Sequence, residues 1–284
     1  MGAPCRYMKV TAIPLSRSAK RAALTILLCA SLAWAGAAGA LWVGQERLLF
    51  KPVRLAPDVR LSDEPDVNER VVQVPGARLS VLELRLPDPR GVVFFLHGNS
   101  ANLKEWFVDG SLYRRANLDL VMMDYRGFGK STGRIESEAQ LHDDVEAVWQ
   151  SIAARYRGKR VVAYGRSLGT GLAATWAAGH QPDLTILVSP YSSMRDLAAL
   201  HYPWVPGAVV RYPLRSDEAV QRIRSPLLLI HGGQDRLIPL AHSQALASRA
   251  PAARVVVIPG AAHADVHRFD AYQAAVLDAL RALR

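Results

Sequence analysis

From Val71 to the C-terminus, short apolar runs alternate with stretches of helical periodicity. This alternation limits the possible folds more than any other feature of the chain. Gly91–Leu96 reads GVVFFL, a continuous apolar run of the kind a strand needs when both of its faces are buried. Leu118–Met123, Val161–Tyr164, Leu184–Val188, Pro226–Ile230 and Arg254–Ile258 read the same way, and Leu79–Leu86 reads as one strand more. Between them, Ser137–Tyr156 places Leu141, Val145, Val148, Trp149 and Ile152 on one helical face. Leu168–Ala178, His242–Arg249 and Phe269–Leu283 are further helices. Strand followed by helix, repeated, means βαβ units joined by right-handed crossovers. The expected class is therefore α/β, a mostly parallel central sheet with helices on both faces. Sites on such sheets lie at the carboxyl ends of the strands.

The N-terminal part has a different character. Ala22–Val43 carries no charge and is roughly 22 residues long, enough to cross a hydrocarbon core of about 30 Å at 1.5 Å per residue. Trp42 lies where an interfacial aromatic belongs. Arg6, Lys9, Arg17, Lys20 and Arg21 precede the run, with no acid among them, so residues 1–21 form a basic leader. The run is expected to be an uncleaved single-pass membrane helix, with the N-terminus cytoplasmic and the remainder on the outer side. A cleaved signal peptide is the competing reading, because Ala33-Trp-Ala35 and Ala38-Gly-Ala40 resemble small-residue cleavage sites. A buried core helix is a third. Residues 44–70, with Pro and mixed charge, read as a connector.

The leader supplies half of the formal net charge of +10. The rest is scattered among acids, with no basic stripe interleaved with aromatics, so no nucleic-acid partner is expected. Cys5 and Cys29 both lie before the connector, so the remainder can form neither a disulfide nor a thiolate metal site.

Gly165-Arg-Ser-Leu-Gly169 matches G-x-S-x-G. The pattern alone is common. Here it joins a short apolar strand to an Ala-rich helix, and a strand turning directly into a helix projects the Ser167 hydroxyl from a tight turn. The helix N-terminus then favours negative charge beside it. Two rival motifs fail. Gly169-Thr-Gly171-Leu-Ala-Ala174 imitates a dinucleotide fingerprint, but its glycines fall inside the helix and no acid ends the next strand. Gly129-Lys-Ser131 imitates the end of a P-loop, but Asp124 stands where Gly is required.

A serine hydroxyl needs a base within hydrogen-bond reach. A serine on such a turn is followed in the chain by an acid and then a histidine. Asp235 follows the strand Leu227–Ile230, and His263 follows the strand Arg254–Ile258 and precedes the last helix. Asp235 would fix the imidazole tautomer; Asp265 is the alternative acid. His263 and His267 have zinc-protease spacing, but Ala264 stands where that motif needs Glu, so no metal is expected. One oxyanion N–H would come from Leu168 and the other from Asn99 or Ser100, in the loop after Leu96. His97 reads as structural.

Taken together, several ordered stretches resemble the membrane-anchored serine-hydrolase branch of the α/β-hydrolase superfamily. They are Glu46-Arg-Leu-Leu-Phe-Lys-Pro52, Leu96-His-Gly-Asn-Ser-Ala-Asn102, Asp124–Gly133, Tyr164–Gly171, Ser189-Pro-Tyr-Ser-Ser193, His231-Gly-Gly-Gln-Asp235 and Gly260-Ala-Ala-His263. That branch includes palmitoyl-protein depalmitoylases, lysophospholipid lipases and serine-aminopeptidase-like bacterial members. The resemblance implies an α/β-hydrolase catalytic domain over residues 71–284, with a cap at about 190–225. It also implies a triad of Ser167, Asp235 and His263 and a structural role for Asp124–Gly129. The cap stretch holds Tyr191, Tyr202, Trp204 and Tyr212. It suits an acyl chain or a membrane surface, or else is a packed loop.

The expected activity is hydrolysis of carboxylic esters or thioesters through an acyl-enzyme on Ser167. The substrate is lipid-like or acylated, and no cofactor is needed. A serine peptidase of the aminopeptidase-like type is the alternative enzyme. A catalytically silent, membrane-tethered binding module is the alternative outside enzymes. Oligomeric state is open.

Overall fold

The computed structural model describes residues 16–107 and 110–283. The two leader residues Arg6 and Lys9, and Cys5, lie outside the described residues. By contacts the chain divides into two units, Met1–Val43 and Gly44–Arg284.

The first unit is dominated by helix α1 (Arg17–Leu49), which runs on into the second. It is 33 residues long and, by length and composition, apolar enough to cross a membrane. It is longer than the uncharged stretch. The helix begins before Ala22, where the Ser16 hydroxyl accepts from the Ala19 N–H (3.2 Å). It stops short of Pro52, whose ring cannot continue it.

The second unit holds, in chain order, β1 (Lys51–Pro52), β2 (Val67–Val74), β3 (Ala77–Leu84), β4 (Gly91–Leu96), β5 (Ser100–Ala101), α2 (Leu103–Trp106) and α3 (Ser111–Ala116). Next come β6 (Asp119–Met123), α4 (Glu138–Ala153), β7 (Arg160–Arg166), α5 (Gly169–His180), β8 (Leu184–Val188), α6 (Met194–His201) and α7 (Ser216–Ala219). The last are β9 (Leu227–Gly232), α8 (Ala241–Ala247), β10 (Ala253–Ile258) and α9 (Asp270–Arg281). Eight strands make one sheet in the order β10-β9-β8-β7-β4-β6-β3-β2. Pairing is parallel from β10 to β6 and antiparallel for β6–β3 and β3–β2. β1 and β5 form a separate parallel pair.

The pleat divides each strand between two cores. Val92, Phe94 and Leu96 of β4 join the cluster that contains Leu141, Val145 and Val148 of α4 and Leu172 and Trp176 of α5. Val93 and Phe95 face the other way, into the cluster with Ala116 of α3 and Tyr272, Val276 and Leu280 of α9. A strand covered on both sides has no place for a polar residue, which is why GVVFFL contains none.

The sequence reading differs from the structure in three places. Residues 44–70 are more than a connector: they carry the end of α1, all of β1 and the start of β2. Arg70 within β2 pairs with the buried Glu83 of β3 (2.9 Å), so its polar residues belong to an edge ladder. Helices α2 and α3 are too short for periodicity to reveal. The aromatic segment after β8 is divided in character: Tyr191 and Tyr212 are buried, whereas Tyr202 and Trp204 are half exposed.

Candidate active site

Ser167 follows β7 directly and has φ +51°, a left-handed conformation that a non-glycine residue adopts only when its surroundings impose it. They do so here through hydrogen bonds. Ser167 N–H donates to the Val188 carbonyl (2.9 Å), and its own carbonyl accepts from Thr170 N–H (2.9 Å) and Oγ1 (2.6 Å). Gly169 is required by close approach. A Cβ there would lie 2.0 Å from the Leu96 carbonyl oxygen and 2.6 Å from that of His97, both backbone atoms. Helix α5 can therefore start against β4 only with glycine at this position.

The three residues singled out in the sequence meet. His263 Nε2 lies 2.9 Å from Ser167 Oγ, and His263 Nδ1 lies 2.7 Å from Asp235 Oδ2. Ser167, Asp235 and His263 each sit just past the carboxyl end of a strand, on β7, β9 and β10 respectively. Asp235 is buried, and its Oδ1 accepts from the N–H groups of Leu237 (3.0 Å) and Ile238 (2.8 Å). Burial opposes its charge, but bonds from His231, His263 and the Ile238 N–H outweigh that and hold its carboxyl well below the usual carboxylate range. Asp265 is turned elsewhere: its Oδ1 accepts from Ala262 N–H (2.7 Å) and so shapes the loop that carries His263.

Leu168 is buried and opens α5, and its carbonyl accepts from the Tyr191 hydroxyl (2.8 Å). Ser100 offers its carbonyl to Trp106 Nε1 (2.8 Å). Asn99 directly follows Gly98, where a Cβ would lie 3.6 Å from Ser167 Cβ, and Ser100 comes one residue later. Among the described residues, the backbone N–H groups of Leu168 and Asn99 donate to no other group. His97 is buried in an aromatic nest with Trp106, Tyr125 and Phe128, and its Nδ1 lies 2.7 Å from the Gly98 carbonyl.

Sequence reasoning missed Arg166. Its guanidinium lies 5.1 Å from the Trp106 ring centroid, donates to the Ala264 carbonyl (3.1 Å) and reaches His267 Nδ1 (3.0 Å). It thus braces the His263 loop against the helix after Asn99. Burial first, and then the Arg166 charge, lower the His267 pKa to about 4, so this ring is neutral near pH 7 and can accept from Arg166. The signal available in the sequence was only that the x of G-x-S is charged.

The sheet, the turn at Ser167 and the Ser–His–Asp chain of side chains define a hydrolase of the α/β type. Residues 87–214 match the family model described as serine aminopeptidase, S33. An uncharacterised protein of Mycobacterium tuberculosis is 30% identical over 270 residues, 91% of this chain and 94% of that one. Human alpha/beta hydrolase domain-containing protein 17B is 31% identical over 203 residues, 69% of each chain. The Pyrococcus furiosus esterase Pf2001 superposes with a TM-score of 0.63 at 19% identity, over 81% of this chain and 98% of that one. Est1E of Butyrivibrio proteoclasticus, solved with ferulic acid, gives 0.62 at 18% identity, over 75% and 96%. The chain belongs to the α/β-hydrolase superfamily.

Proposed function

We propose that the protein is a serine hydrolase that cleaves carboxylic esters or thioesters through an acyl-enzyme on Ser167. The observation that carries this reading is the His263 imidazole, bonded at 2.9 Å to the Ser167 hydroxyl and at 2.7 Å to the Asp235 carboxylate. His263 takes the hydroxyl proton as Oγ attacks the acyl carbonyl, then gives it to the leaving alcohol or thiol. Water deacylates the serine by the same route in reverse. Asp235 keeps the proton on Nδ1 and stabilises the imidazolium. The backbone N–H groups of Leu168 and Asn99 would donate to the oxygen that becomes negative. Asn99 is preferred to Ser100 because it adjoins Gly98, beside Ser167.

A serine peptidase of the aminopeptidase-like type is the second reading, carried by the match of residues 87–214 to the serine aminopeptidase family model. A serine-directed fluorophosphonate probe tests the proposal. The full chain should be labelled, and Ser167→Ala should not. An unlabelled wild type, or equal labelling of both, would exclude the acyl-enzyme and leave a binding module.

We further propose that residues 22–43 anchor the hydrolase in a membrane, with acyl-bearing lipids or proteins as its substrates. The uncharged window and the preceding Arg17, Lys20 and Arg21 support N-terminus inside and hydrolase unit outside. In sealed cells an added protease should then reach residues beyond 44. Protection until lysis would reverse the orientation.

A further inference from the structure

The segment after the apolar run, Gln45–Leu55, contains the Glu46-Arg-Leu-Leu-Phe-Lys-Pro52 motif, for which the chemistry at Ser167 has no direct use. It passes between two parts of the hydrolase unit and is bonded to both. On one side it grips the segment after α6. Gln45 Nε2 donates to the Val209 carbonyl (2.9 Å), and Gln45 Oε1 accepts from Arg211 N–H (2.8 Å). One carboxamide is thus engaged at both ends. Glu46 accepts from the Tyr212 hydroxyl (2.8 Å), and the buried Phe50 ring meets Tyr212 edge-on, with centroids 5.3 Å apart.

On the other side the same segment holds the loop after β4. Asn99 Nδ2 donates to the Leu49 carbonyl (2.8 Å), and the Asn99 carbonyl accepts from Lys51 N–H (2.7 Å). Two residues on, the Ala101 carbonyl accepts from Val53 N–H (3.1 Å). The Val53 carbonyl in turn accepts from Asn102 Nδ2 (3.2 Å). Ala101 has φ +67°, a strained conformation for a residue with a Cβ, and such conformations persist only when neighbours over-determine them. The carbonyl and the side chain of Asn99 are both fastened to this segment, which holds the Asn99 Cα, one end of the Gly98–Asn99 peptide that carries the N–H; the carbonyl of that same peptide, Gly98, lies 2.7 Å from His97 Nδ1.

We infer that Gln45–Val53 is a positioning strap for the oxyanion site. It sets the direction of the Asn99 N–H toward Ser167 and joins that loop to the segment around Tyr212. The residues that lead out of the apolar helix are on this account part of the catalytic assembly, through Asn99. The inference rests on the serine-hydrolase reading above. Its physical basis is the steep dependence of transition-state stabilisation on donor placement, where a misplacement of about 1 Å can cost about 10²-fold in rate.

The test uses the full chain in detergent and a short, soluble p-nitrophenyl ester, with active sites counted by fluorophosphonate titration. Asn99→Ala removes the side-chain tether and keeps the backbone N–H. Its kcat per active site should fall by about 10- to 100-fold, with KM within about threefold. Inhibition by an alkyl boronic acid, whose tetrahedral serine adduct resembles the transition state, should weaken by the same factor as kcat/KM. The acid limb of the pH–rate profile should not move, because Asp235 holds His263 and the strap does not. Gln45→Ala, remote from the reacting atoms, should show the same pattern at about 3- to 10-fold. If both variants match wild type per active site, the strap is only structural and the inference is overturned. The same holds if boronate affinity stays constant while kcat falls. A wild type that neither labels nor turns over ester would remove the hydrolase reading and this one with it. An active wild type with indifferent variants would remove this one alone.

Discussion

Ser167→Ala is expected to leave the protein folded and to lower kcat for ester hydrolysis by up to about 10⁶-fold. The fall is large because no other group can replace the oxygen. His263 Nε2, 2.9 Å from Oγ, would face a methyl group, and neither the imidazole nor the oxyanion donors can form the acyl bond. Direct attack by water is the remaining route. It leaves a residual rate that the oxyanion donors and substrate binding still raise above solution, by about 10³ to 10⁴. The fold should be indifferent, since the bonds that hold this turn engage only the main chain of Ser167: its N–H with Val188 and its carbonyl with the N–H and hydroxyl of Thr170. Alanine keeps all of them and only the hydroxyl is lost. Steady-state hydrolysis and thermal unfolding, measured on wild type and variant from parallel preparations, check both halves. A variant that retained a hundredth of wild-type kcat with an unchanged unfolding temperature would remove Ser167 from the chemistry.

The residues of the site were legible because each ends a strand that announces itself. The runs before Asn99, Ser167, Asp235 and His263 are apolar on both faces, and the parallel sheet brings the carboxyl ends of β4, β7, β9 and β10 to one edge. Position in the chain then translates directly into position in space. What stayed hidden has the opposite character. The strap is held by bonds such as Gln45–Val209 and Asn99–Leu49, between residues 164 and 50 positions apart, and most of the partners are carbonyls. A carbonyl has no identity in a sequence, so no pattern of residue types could foretell the contact. Arg166 was opaque for a related reason. Whether an arginine points to solvent or across a site depends on where Trp106 and the Ala264 carbonyl come to lie. The short helices α2 and α3 lack the length for a period to emerge.

Asp235→Asn should be the second most damaging change, lowering kcat by about 10⁴-fold while leaving Ser167 and His263 in place. The loss turns on the position of one proton. In the native protein the carboxylate accepts from His263 Nδ1, so the ring proton sits on Nδ1 and the bare Nε2 can receive the serine proton. Asparagine would keep an oxygen for the N–H groups of Leu237 and Ile238, which fixes its orientation. Its NH₂ would then point at His263 Nδ1 and require an acceptor there. The ring proton would move to Nε2, facing a hydroxyl that it can no longer deprotonate. The imidazolium would also lose its counter-charge. A second consequence concerns acid stability. The Asp235 carboxyl titrates well below its ordinary range when folded, so its contribution is fully present above about pH 4. That contribution is lost as pH falls from there toward the lower folded-state value. The variant carries no such group, and its unfolding temperature should fall less steeply than that of wild type between pH 5 and about pH 2. Hydrolysis at neutral pH and thermal unfolding across that acid range measure the two effects. A loss below tenfold in kcat would mean that Asp235 neither sets the tautomer nor offsets the charge, and that the acid of this site lies elsewhere.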